Sequence, residues 1–200
     1  SRAFYGCTGL TSMNFQEGIT KLDYEAFYGC TGLTEVQLPD SITYFGYNLF
    51  QNCTGLQSIN YPAGLTETHS WANVFTGCSS LKSITVPEGV TTLCAYVFSG
   101  ANYLEEVILP ESLEIIGGSA FAGCVRLKSI EIPDSVTEIR SGAFNGCTGL
   151  TSIDFPASLT VIGSRAFYGC TGLTSMSFPE GITKLDYEAF YGCTGLTEVQ

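Results

Sequence analysis

Leu127-Lys-Ser-Ile130-Glu-Ile132-Pro133-Asp-Ser-Val136-Thr-Glu-Ile139-Arg-Ser-Gly-Ala143-Phe144-Asn-Gly146-Cys147-Thr-Gly149 is one unit of a repeat, and it decides the fold. Its beat runs through the whole chain. Leu10, Leu33, Leu56, Leu81, Leu104, Leu127, Leu150, Leu173 and Leu196 follow one another at 23 residues, except for a 25-residue step from Leu56 to Leu81. All seven prolines share one column, from Pro39 to Pro179, and the first full unit has Gln16 there. Nine phenylalanines, from Phe4 to Phe190, share a second. Eight of the nine cysteines share a third, where Ala101 interrupts them. A 23-residue unit cannot bury its own apolar face, but stacked units build one continuous core.

Each part of the unit has a physical reading. Leu127, Ile130 and Ile132 end in alternation, which predicts a short strand with one buried face. Pro133 lacks a backbone N–H and ends that strand. Ser135 to Ile139 carries β-branched residues and predicts a second extended segment. Ala143 to Cys147 predicts a short helical or 3-10 turn closed by Gly146. Strands of successive coils are expected to pair in parallel, ~4.8 Å apart. The expected architecture is a leucine-rich-repeat solenoid, forming a single array over 1–200.

A longer period lies over the short one. Residues 1–37 recur at 164–200 with two changes, Asn14 to Ser177 and Gln16 to Pro179. Both ends stop mid-unit without a polar capping repeat. That pattern suggests a fragment of a longer array, or a molecule that associates end to end.

Composition narrows the function. Eight Lys plus Arg stand against nineteen Asp plus Glu, for a net charge of −11. Such a surface repels phosphate backbones and anionic lipid, so nucleic acid is not an expected partner. No apolar run reaches the ~18 residues of a membrane span, so no direct insertion is expected.

The run Leu150-Thr-Ser-Ile-Asp-Phe-Pro156-Ala-Ser-Leu-Thr-Val-Ile-Gly-Ser-Arg-Ala166-Phe-Tyr-Gly-Cys170 resembles the BspA-like leucine-rich repeats, also called the Treponema pallidum type. The resemblance covers nearly the whole chain. It implies a right-handed solenoid in a cell-surface or secreted protein. It also implies adhesion to host proteins or to other cells, and an exposed patch of this chain is expected to bind a protein or glycan of a host or neighbouring cell. The family's motif residues form its scaffold, so none carries over as a binding residue. The 25-residue unit and Ala101 depart from the pattern.

Several residues stand outside the scaffold columns. The cysteines read as stacked buried thiols, because parallel side chains make poor disulfides. With no Cys-x-x-Cys and one His, no metal or cofactor is expected. Cys94 lies in a column of mixed polarity (Asp23, Gly46, Gly117, Arg140) and is expected to be shallow or solvent-facing. His69 and Trp71 sit in the 25-residue unit. Trp71 reads either as a recognition knob or as a lid folded over Thr68, which replaces an apolar residue. Tyr24, Tyr47 and Tyr187 precede the core Phe, and Tyr5, Tyr28, Tyr168 and Tyr191 follow it. They form a contact band or pack on neighbouring coils. Ile108 is an isolated apolar spot on an otherwise polar strand face. The lone His lacks a partnered carboxylate and the glycines form no phosphate loop, so an enzyme is not expected.

Overall fold

A computed structural model describes all residues 1–200. The chain is a parallel β-solenoid with one coil per repeat. The first extended segment forms strands Ser12–Asn14, Glu35–Gln37, Ser58–Ile59, Ser83–Thr85, Glu106–Ile108, Ser175–Met176 and Glu198–Val199. These strands pair in parallel, in the register the repeat demands, so that Met13 lies beside Val36 and Val36 beside Ile59. The second extended segment also forms strands, including Lys21–Leu22, Tyr44–Phe45, Thr92–Leu93, Ile115–Ile116 and Glu138–Ile139. Leu93, Ile116, Ile139, Ile162 and Leu185 run side by side along that second sheet.

The strands are only two or three residues long, so they cannot hold the coils together alone. Of 104 backbone hydrogen bonds, 10 lie within them, and the other 94 lie in turns and loops, many running from one coil to the next. The segment expected to be helical is in fact a run of turns. Two features explain this. The residue two before each core Phe has positive φ in every coil, from Arg2 (56°) through Tyr96 (60°) to Glu188 (54°). The residue two after it does too, usually Gly but Asn52 (61°) in one coil. A left-handed residue on each side stops any helix. The turn's N–H groups then alternate between partners. Cys147 N–H donates within its own coil to Phe144 O at 3.1 Å, while Phe144 N–H donates across to Ala166 O at 2.7 Å.

The core is one cluster of 55 buried side chains. Its spine is the phenylalanine column, with Phe98, Phe121, Phe144 and Phe167 stacked at centroid spacings of 5.4, 5.0 and 5.1 Å. Each stacked pair contributes about 0.5–1.5 kcal/mol beyond area burial. Beside it runs the thiol column. All nine cysteines are free, and only Cys7 is exposed. Each thiol of this column from Cys30 onward donates to the carbonyl of the Phe at the start of the preceding turn, as Cys147 Sγ does to Phe121 O at 3.1 Å.

Cys94 contradicts the expectation of a shallow position, because it is buried and donates to Leu65 O at 3.3 Å. Its column is mixed: Asp23, His69 and Arg140 are exposed, while Gly46 and Gly117 are buried. A Cβ added at Gly46 or Gly117 would meet the preceding coil's backbone at 2.3 or 2.2 Å. The 25-residue coil lies directly before Cys94, which keeps a side chain at this place and encloses it.

Candidate functional site

The two extra residues of the long coil act where the second sheet ends. Tyr44–Phe45 pairs with Glu67–Thr68, so His69 follows Gly46 in register. His69 N–H donates to Phe45 O at 2.9 Å, which anchors the backbone there. Ser70 and Trp71 are then surplus to the repeat and loop outward. Trp71 adopts φ 64°, the left-handed region that a bulky side chain normally avoids. Its ring is 75% exposed. It therefore does not fold over Thr68. Its one ring neighbour is Tyr96 of the next coil, at 6.0 Å and 35°.

The aromatic band continues on the earlier coils. Tyr24 stacks on Tyr47 at 5.2 Å and 2°, and Tyr47 meets His69 edge-on at 5.4 Å. Tyr5 and Tyr28 stack at 4.9 Å. These tyrosines pack coil to coil, and Tyr5 and Tyr24 remain exposed. Tyr24, Tyr47 and His69 thus form one ladder, with Trp71 two residues beyond it.

Tyr187 and Ile108 lie elsewhere. Tyr187 is 65% exposed in the recurrent segment near the other end of the solenoid, with Arg165 over its ring at 5.8 Å. Arg165 also pairs with Glu188 at 2.7 Å. Hydrogen bonds from Tyr187 and Arg165 hold the Glu188 carboxyl below its usual range. The same Arg–Glu pairing recurs at Arg2 and Glu25. Ile108 is 51% exposed on the first sheet. It lines an open groove of about 530 Å³ together with Glu106, Glu131 and Asp134. The groove lies where the first sheet is interrupted, because Glu106–Ile108 pairs with Ser83–Thr85 on one side only.

Sequence reasoning missed Tyr96, the partner of Trp71. Its signal was present, since Tyr96 fills the left-handed column two residues before Phe98. No His, Cys, Asp and Glu side chains gather in groups of three or more that could hold a metal ion. No helix is long and apolar enough to cross a membrane.

Known proteins align with this architecture. The family profile described as "BspA type Leucine rich repeat region" matches in six copies, over residues 1–100 and 69–197. A leucine-rich repeat protein of Bacteroides ovatus is 29% identical, with a TM-score of 0.59 over 94% of this chain and 62% of that one. The present chain therefore spans less than two thirds of that relative's length. The leucine-rich repeat protein of T. pallidum is also 29% identical, with a TM-score of 0.60 over 93% of this chain and 77% of that one. The pneumococcal vaccine antigen PcpA shares the fold at 21% identity and a TM-score of 0.57, over 92% of this chain and 55% of that one. No curated protein gives a significant match. With the profile matched along nearly its full length, the chain belongs to the BspA-type leucine-rich-repeat family.

Proposed function

We propose that this chain is the recognition part of a non-catalytic, cell-surface or secreted repeat protein, and that its aromatic ridge binds a protein or glycan of a host or neighbouring cell. The observation that carries this reading is Trp71. Folding gains little from an indole left 75% in water, and the left-handed backbone under it costs about 1–2 kcal/mol. An aromatic anchor held out by a rigid scaffold is a common centre of binding energy. The Tyr24–Tyr47–His69 ladder extends that surface with amphipathic rings already ordered by stacking.

The test is binding of the intact chain to an array of glycans and to a panel of immobilised extracellular host proteins. Trp71→Ala and the Tyr24→Ala/Tyr47→Ala double variant are run beside it. The reading expects one ligand to lose at least about tenfold affinity in both variants, with circular dichroism unchanged. A ligand that binds the variants as well as the parent removes the ridge from the account. Binding to no member of either panel would favour a second reading, a spacer or filament element that associates end to end. That reading is motivated by the recurrence of residues 1–37 at 164–200.

A further inference from the structure

A different ridge departs from the repeat, and aromatic recognition does not explain it. Where another coil precedes it, the residue two after the column cysteine is glycine at Gly32, Gly55, Gly149, Gly172 and Gly195. The reason is steric, since a Cβ there would meet the preceding coil's carbonyl oxygen at 2.3 to 2.5 Å. Three consecutive coils break the column with Ser80, Tyr103 and Arg126. The backbone registers the change. In regular coils the residue after the column leucine donates its N–H to its counterpart one coil back, as Thr151 does to Lys128 O at 2.9 Å and Thr174 to Thr151 O at 3.3 Å. Lys82 and Lys128 do not make that bond, whereas Glu105, in the coil of Tyr103, does, to Lys82 O at 2.8 Å. Two of the three altered coils thus lack a coil-to-coil hydrogen bond that regular coils make.

The inserted side chains are organised. Tyr103 has two cations against its ring, with Lys82 Nζ at 5.3 Å and the Arg126 guanidinium at 4.8 Å from its centroid. Both cations share one carboxylate, Glu105, at 3.5 and 3.9 Å. Lys128, one coil on from Glu105, is exposed and makes no ion pair. Three cations and one carboxylate thus stand together on a chain of net charge −11. Arg126, Lys128, exposed Val125, side-chain-free Gly149, Thr151 and the already paired Glu105 border an open depression of about 390 Å³.

We propose that this ridge binds an acidic peptide segment of a protein partner, a site separate from the aromatic ridge and additional to it. Stacking on Tyr103 fixes the guanidinium plane of Arg126 and leaves its N–H edge for a carboxylate. Lys128 supplies a second, unpaired charge. Val125 offers apolar contact to a side chain next to the acidic one. Lys82 and Arg126 both lie against the Tyr103 ring, so the ridge offers charge before it offers a stacking face and fits an acidic peptide better than a neutral glycan.

The probe is a fluorescein-labelled Glu-Glu-Leu-Glu-Glu peptide titrated onto the 200-residue chain and read by anisotropy. The expected result is saturable binding that weakens with added salt. It weakens at least about tenfold further in the Arg126→Gln/Lys128→Gln variant. Both residues are exposed, so the variant keeps its fold, and near-ultraviolet circular dichroism checks this. A control variant, Lys21→Gln/Arg140→Gln, removes the same charge elsewhere and is expected to bind like the parent. Absence of saturable binding at low salt overturns the proposal, as does equal loss in the control. A sulfated or sialylated oligosaccharide that binds the parent more tightly than the peptide, and loses affinity in the same variant, replaces the peptide with a glycan and overturns the assignment made here.

Discussion

Gly146 and Gly149 lie three residues apart in one coil, and replacing each with alanine tests two different forces. Gly149 has ordinary backbone torsions but no room. Its added Cβ would lie 2.3 Å from Val125 O and 3.2 Å from Val125 C. The obstacle is backbone, so relief requires the coils to part. The bond at risk is Thr151 N–H to Lys128 O, now 2.9 Å. Losing it costs about 0.5–1.5 kcal/mol, and forcing the backbone apart adds about 1–3 kcal/mol. Gly149→Ala is therefore expected to cost about 1.5–4.5 kcal/mol. Gly146 is the reverse case. It has φ +72°, and its Cβ would find only Gly123 N, at 3.9 Å. Gly146→Ala carries the left-handed penalty alone, about 1–2 kcal/mol. Gly146→Asn is expected to cost less still, since Asn52 holds that place in its own coil at φ 61°. Urea unfolding followed by circular dichroism measures all three, with slopes compared because repeat arrays can lose two-state behaviour. If Gly149→Ala proved cheaper than Gly146→Ala, close coil approach would not be what keeps glycine in that column.

Four further outcomes are expected. Phe121→Ala empties a fully buried site between two stacked rings and is expected to cost about 3–5 kcal/mol, read from the same urea midpoints. A thiol reagent at pH 8 is expected to modify one cysteine in the folded chain, the exposed Cys7, and nine after denaturation; rapid modification of several in native conditions would contradict a closed thiol column. Burial pushes the Cys78 and Cys147 thiols up to about 12, so their folded forms stay protonated while unfolded thiols ionise above about 9. Stability is then level below pH 9 and falls between about 9 and 12; Cys147→Ala is expected to shallow that fall, which a melting series against pH would show. Trp71→Gly relieves a left-handed backbone at an exposed site and is expected to leave the melting temperature unchanged or raise it, while binding at the aromatic ridge is lost. A marked drop in melting temperature would show that the indole serves the fold.

The course of the chain was legible because each coil repeats one apolar pattern. Leucine, isoleucine, phenylalanine and cysteine at fixed intervals have one solution that buries them all, and both strand segments follow from alternation and β-branching. The turn before the cysteine was not legible as a turn. Ala-Phe-x-Gly-Cys suits a helical turn locally, and the carbonyls of the next coil win its N–H groups instead. Cys94 was misplaced for a related reason. A column containing Asp23 and Arg140 looks solvated, although close approach of backbones is what makes Gly46 and Gly117 necessary in it. The aromatic residues could be named from sequence. That Tyr24, Tyr47 and His69 join in one ladder depends on coil register, and so does the pairing of Trp71 with Tyr96.

The amino-acid sequence by itself determined the period, the composition of the core, the parallel stacking and the family. Only the tertiary structure decided which members of each column are covered. Leu22 and Leu185 stand in identical stretches of sequence, yet Leu22 is 7% exposed and Leu185 51%. Phe45 lies in register against the first, whereas no later coil within residues 1–200 lies against the second. Burial in a solenoid belongs to the interface between coils, and a residue's own repeat does not contain that information.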